Sequence, residues 1–171
     1  MKLWRKCKSR GGFSLAECLV ALLILTIMSS VACMGITTAL QDRAKAIAVA
    51  DAQSVAATAA QAVGDQIRYG QISAVDPDYI ELTSSTYGDQ VKLCLDSQGH
   101  LVAEDTSGAQ YALLGEKAYS GLTLDGLSFT ANMGGEPDEL KSVDIKLSVA
   151  GESGQLWSLD YTVSPINSRM I

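Results

Sequence analysis

The feature that most constrains this chain is an uncharged run from Cys18 to Leu40, CLVALLILTIMSSVACMGITTAL. At about 1.5 Å per residue, a helix over this run spans roughly 34 Å, enough to cross a bilayer core of about 30 Å. The remaining length, in a chain of 171 residues, suits one ordinary domain. Hydrophobic residues make up 47% of the whole, which excludes a mostly disordered polypeptide.

Charge is distributed unevenly around the run. Lys2, Arg5, Lys6, Lys8 and Arg10 crowd the first ten residues, and no acid precedes Glu17. Beyond Gly12 there remain eight basic residues against 19 acids, a formal charge of −11 where the whole chain carries −6. The asymmetry marks residues 1–12 as a targeting leader ahead of a fold of different character. Basic residues before the run and acids after it keep the N-terminus in the cytoplasm and export the rest. A secretory signal peptide is the competing reading. Its apolar region should be about 7–15 residues and end at a small-residue cleavage site. Ser29-Ser30-Val31-Ala32-Cys33 offers a weak site of that kind, but the helical pattern continues past Leu40.

Glu17 stands at the entrance to the run. An ionised carboxylate costs roughly 2.5 kcal/mol or more at mid-bilayer depth and less near an interface, and intramembrane acids are by default functional. Together Lys8-Ser9-Arg10-Gly11-Gly12-Phe13-Ser14-Leu15-Ala16-Glu17 and the apolar stretch resemble the class III signal of type IV prepilins and pseudopilins. The resemblance implies cleavage by a prepilin peptidase between Gly12 and Phe13, and methylation of the new Phe13 amine. It also makes Glu17 the family's assembly glutamate, four residues after Phe13. The freed amine would have an ordinary pKa of about 7.7–8.0. A buried carboxylate and ammonium each bear a desolvation penalty of several kcal/mol unless they meet. The Phe13 amine of the same chain is one partner within reach; the resemblance implies that of a neighbouring subunit. Many members of the family carry a proline in the second half of this helix. Met34 and Gly35 stand there instead, with Ser29, Ser30, Thr37 and Thr38 lowering helix propensity without a fixed kink.

From Gln41 to Arg68 there is no proline and much alanine. Asp51, Ser54, Thr58, Gln61, Asp65 and Arg68 recur at spacings of three and four. So do Val49, Ala52, Ala56, Ala60, Val63 and Ile67 on another face. This predicts an amphipathic continuation of the membrane helix, about 55 residues and 80 Å in all, with its alanine face against a sheet. Gly64 reads as a weak point and Gly70 as the stop. Four segments follow: 1–12 as leader, 13–40 as transmembrane half, 41–70 as amphipathic half, and 71–171 as an exported β-rich domain.

Beyond Gly70 the pattern changes to period 2. Candidate strands are Tyr79–Thr83, Gln90–Leu95, Leu101–Glu104 and Gln110–Leu114, with turns at Asp96–Gly99 and Thr106–Gly108. A second group places Leu127, Phe129 and Ala131, then Val143, Ile145, Leu147 and Val149, then Trp157, Leu159, Tyr161 and Val163 on one face, with a turn at Gly151–Gly154. The expected architecture is α+β: a long N-terminal helix on an antiparallel meander, in one or two sheets, with one face on the helix and the other in water.

Signatures of catalysis are missing: no phosphate loop, no HExxH and no GxSxG. The single histidine, His100, follows a turn glycine and reads as a solvated loop residue. Cys7, Cys18, Cys33 and Cys94 read as free thiols, and Cys94 lacks an evident base. Glu136-Pro137-Asp138-Glu139 lacks the ligand alternation of an EF-hand and reads as a hairpin tip. No catalytic residue, metal ligand or cofactor is assigned. From Gly70 onward 15 acids face five bases, which argues against direct nucleic-acid binding.

The reading is a structural subunit, a minor pilin or pseudopilin of a pilus, secretion or DNA-uptake filament. It would be a single-pass cytoplasmic membrane protein with its C-terminal domain outside. The resemblance implies other pilins, a prepilin peptidase, an assembly ATPase and a platform protein as partners. The family's paired cysteines near the C-terminus are absent, since no cysteine follows Cys94. The alternatives are a signal-anchored binding module with an acidic ligand- or cation-binding domain, and an extracellular hydrolase, which the missing nucleophile–base pair disfavours.

Overall fold

The computed structural model describes residues 14–135, 139–152, 154–167 and 169. The order is α1 (Leu15–Tyr69), β1 (Gln71–Val75), β2 (Ile80–Ser84), β3 (Gly88–Leu95), β4 (Leu101–Glu104), β5 (Gln110–Ala112), a 3-10 turn (Glu116–Tyr119), β6 (Thr123–Met133), β7 (Leu140–Gly151) and β8 (Gly154–Val163). The architecture is α+β, as expected. The chain divides into two compact units, Met1–Lys45 and Ala46–Ile171.

In the first unit α1 is exposed on every described residue. Its apolar side chains, from Leu15 to Leu40, meet no protein core. Four hydroxyls within it are satisfied by the helix itself. Thr26 donates to the Leu23 carbonyl at 2.8 Å, Ser30 to Ile27 at 2.8 Å, and Thr37 and Thr38 to Met34 at 2.9 and 3.0 Å. Such back-bonding satisfies these four hydroxyls without a partner outside the helix.

In the second unit α1 is amphipathic because alanine and β-branched residues recur on one face. Ala52, Val55, Ala56, Ala59, Val63 and Ile67 are buried, while Asp51, Ser54, Thr58, Gln61, Asp65 and Arg68 are exposed. Val55 and Ala59 join the stripe beyond the expected set, and Ala60 is only half-buried. Gly64 is buried against β8, where an added Cβ would lie 3.7 Å from Val163, so it is a packing position. Gly70 ends the helix: its N–H donates to the Gln66 carbonyl at 2.8 Å. An added Cβ there would come within 2.6 Å of that carbonyl and 3.1 Å of Leu82.

The strands form two antiparallel sheets, β1-β2-β3-β4-β5 and β6-β7-β8. Ile72, Ile80, Leu82, Val91, Leu93, Leu101 and Ala103 of the first, and Leu127, Phe129, Val143, Ile145, Leu147, Val149 and Val163 of the second, join the helix stripe in one apolar core. Strand β1 was not expected, and β5 stops at Ala112 rather than Leu114. Trp157, expected on the inner face, stands opposite buried Val149 but is 37% exposed. Among the described residues its strand has a neighbour on one side only.

Two polar ties fix the helix to the second unit's strands. Ser84, buried at the end of β2, donates to Gln66 Oε1 at 2.7 Å and accepts the Thr86 N–H at 3.1 Å. The Tyr161 hydroxyl donates to the Ala60 carbonyl at 3.2 Å.

Candidate functional site: the N-terminal end of the long helix

Ser14 and Glu17 open α1 as a reciprocal cap. The Ser14 hydroxyl accepts the Ala16 N–H at 3.2 Å, and Glu17 Oε2 accepts the Ser14 N–H at 3.0 Å. The first helical bond runs from the Cys18 N–H to the Ser14 carbonyl at 3.2 Å. Helix N-termini leave four orphan N–H groups and carry partial positive charge, so a Ser at the cap and a Glu three residues on satisfy both needs. The signal Ser14-x-x-Glu17 ahead of an apolar run was present in the sequence. The charge of Glu17 masks this capping pattern, because the same carboxylate also suits an ion pair.

The cap therefore holds the Glu17 carboxylate on its own helix end. Gly12 and Phe13, the other two predicted site residues, lie outside the described residues, as does Cys7. Immediately after the cap, Leu15 is 82% exposed, and Leu19, Val20, Leu22 and Leu23 are exposed too. A solvated protein surface does not sustain so continuous an apolar face; a lipid or partner-helix environment does. Helix α1 is long and apolar enough near the N-terminus to cross a membrane.

The other candidates do not assemble into a reactive centre. Cys18, Cys33 and Cys94 are free thiols. Cys94 is half-buried on β3, and burial, then Glu104 and Asp96, push its thiol above the usual range, against thiolate chemistry. His100 lies in the loop between β3 and β4, as expected, but is not fully solvated. It is half-buried, its Nδ1 lies 3.5 Å from Asp96 Oδ2, and its ring centroid is 4.6 Å from that of Tyr119. Tyr119 is 19 positions further on, so no local pattern foretold the stacking. Its hydroxyl accepts the Leu101 N–H at 2.7 Å, which locks the β3–β4 turn against the 3-10 segment. Among the described residues no group of three His, Cys, Asp or Glu is placed to hold a metal ion. Of the acidic stretch, Glu136, Pro137 and Asp138 lie outside the described residues.

Compared with known proteins, residues 7–32 match the family model described as the prokaryotic N-terminal methylation motif. No curated protein and no solved structure matches the chain. The matched segment takes in Lys8 and Arg10, the cap and most of the apolar run. It supports a type IV pilin-like protein, and with the membrane-capable helix it fits a membrane-anchored single-pass chain.

Proposed function

From a chain that carries this methylation motif at the head of an exposed apolar helix, we propose a structural subunit of a type IV pilus-like or pseudopilus-like filament, of the minor pilin or pseudopilin kind. The observation that carries the reading is the coincidence, within residues 7–32, of the matched motif, the Ser14–Glu17 cap and an apolar surface with nothing to bury it. The polypeptide is inserted with its basic leader inside and its acidic domain outside, in line with the positive-inside rule. A prepilin peptidase cuts between Gly12 and Phe13 and methylates the Phe13 amine.

Cleavage turns an amide into a cation next to a carboxylate already fixed at the helix start. In lipid each charge is costly alone, and their meeting offsets most of that cost. When the neutralising amine belongs to an adjacent subunit, the contact selects the register between helices leaving the membrane for the filament. The apolar half of α1 then exchanges lipid for other helices, and the 46–171 unit is displayed outside. Other pilins, the peptidase, a platform protein and an assembly ATPase are the partners this role requires.

Intact-mass analysis of the protein purified from its native membrane tests the reading. Loss of residues 1–12 and one added methyl on Phe13 are expected. A mature chain that keeps its leader overturns the proposal in favour of a plain signal anchor.

A further inference from the structure

The two sheets present four outer edges, and three of them are short, irregular or closed. Strand β1 has five residues with a register shift between Ile72 and Ala74, and β5 has three. The edge of β6 is closed by loops, its Phe129 N–H donating to the Pro77 carbonyl and its Leu124 N–H to the Gly99 carbonyl, both at 3.0 Å. Strand β8 differs. It runs ten residues, Gly154–Val163, and pairs among the described residues with β7 alone. It has no proline and no lysine, and Asp160 is its single charge. Proteins ordinarily blunt such an edge, because its free N–H and C=O groups template another strand.

The side chains point the same way. Trp157, Leu159 and Tyr161 stand opposite the buried Val149, Leu147 and Ile145, yet none of the three is itself buried. Tyr161 is held on α1 by its bond to the Ala60 carbonyl, so the row is least covered at Trp157, which is exposed, and at half-buried Leu159. Two depressions follow this flank, and neither is lined by any β7 residue. One, of about 410 Å³, is bounded by Gln155, Leu156, Trp157 and Ser158. The other, of about 360 Å³, lies between Leu159, Tyr161 and Val163 of the strand and the small Ala60 and Gly64 of α1.

We propose that the free edge of β8 receives an extended segment of another protein as a fourth strand of its sheet. Main-chain hydrogen bonds would hold it, and apolar side chains at alternate positions would fill the flank beside Trp157 and Leu159. Charge decides against a second copy of this chain. Residues 46–171 hold 17 acids and six bases, so two copies repel as whole units. At the edge itself exposed Asp65, Glu152 and Asp160 are accompanied by Arg68, which lines the second depression, and by Lys146, the cross-strand partner of Asp160. The occupant is therefore a different and more basic chain, one that the acidic unit as a whole attracts where it would repel a second copy. The inference rests on the 46–171 unit and stands independently of N-terminal processing.

The test uses the full-length protein in its native cell, with a photo-crosslinking residue at Ser158 and, as control, at exposed Ser97. Crosslinked peptides are sequenced by mass spectrometry, and the experiment is repeated with Asp160→Lys. This exposed change sets a lysine opposite Lys146, so the variant's thermal midpoint is measured beside its crosslinking yield. The expected result is a Ser158-specific adduct on an alternating apolar–polar segment of a more basic protein, reduced at least tenfold by Asp160→Lys. Overturning results are an adduct on another copy of this chain, an adduct on a segment without that alternation, equal labelling from Ser97, no protein adduct, or a yield that Asp160→Lys leaves unchanged.

Discussion

The phenolic hydroxyl of Tyr161, on the last strand, donates to the backbone carbonyl of Ala60, a helix residue 101 positions earlier in the chain. That carbonyl sits within the helix, so the tyrosine uses its second lone pair, and the bond joins α1 to the sheet without breaking a helical bond. Tyr161→Phe removes the donor and leaves no buried group orphaned. The expected cost is about 1 kcal/mol. For a folded unit of this size that lowers the thermal midpoint by about 4 °C, measured by differential scanning calorimetry on the full chain in detergent. An unchanged midpoint would show the tie to be incidental.

The same residue makes stability depend on alkaline pH. Burial pushes the Tyr161 phenol far above its ordinary value near 10. Burial also raises Tyr119, opposed in part by the Leu101 N–H and assisted by Asp96. A group whose folded pKa is raised contributes stability that is complete below the unfolded pKa and is lost as pH climbs through the folded value. Stability should therefore hold to about pH 10 and decline above it. Denaturation midpoints between pH 8 and 11.5 measure this, and Tyr161→Phe should flatten the decline. A decline of equal steepness in the phenylalanine variant would assign it to other groups.

Gly99 joins the two sheets at a point where no other residue fits. Its φ is +76°, and an added Cβ would lie 2.6 Å from the Leu124 carbonyl, which belongs to β6. The Gly99 carbonyl in turn accepts the Leu124 N–H at 3.0 Å. Gly99→Ala thus combines left-handed backbone strain with a clash against backbone that cannot rotate away. A loss of about 2 kcal/mol is expected in chemical denaturation. Gly108→Ala is the control: its φ is +82° but nothing lies within 4 Å of the added carbon, so it should cost less.

Much of this was legible in the sequence because it depended on local pattern. A helix from Phe13 to Arg68 could be read since no proline interrupts it; α1 runs Leu15–Tyr69, and all six residues of its polar face are exposed as expected. The β6–β8 meander followed from strict alternation in β7. What escaped notice depended on contacts distant in sequence. Gly64 has the composition of a weak point, and only Val163 packing beside it makes it a core position. Strand β1 has one fully buried residue, Ile72, too little alternation to stand out directly after a helix. Trp157 has the right phase for the core, but phase does not reveal whether a strand is flanked on both sides. The role of Glu17 as a helix cap was visible in four consecutive residues, Ser14 to Glu17, and was obscured by its more conspicuous charge.

Cap and charge are separable at Glu17, because glutamine also serves at the third position of a capping box. Glu17→Gln should keep an oxygen for the Ser14 N–H, 3.0 Å away in the native chain, while removing the anion that the proposed Phe13 ammonium needs. Ser14→Ala does the converse: it removes the acceptor of the Ala16 N–H, at a cost of about 1 kcal/mol to the first turn, and leaves the carboxylate in place. If assembly depends on charge, the glutamine variant is cleaved and methylated as usual but stays in the membrane fraction. The alanine variant still enters sheared filaments, at a reduced level. Immunoblots of membrane and filament fractions, with intact masses of each, measure both outcomes. Incorporation of Glu17→Gln at the native level, with Ser14→Ala excluded, would mean that helix initiation rather than ion pairing governs entry into the filament.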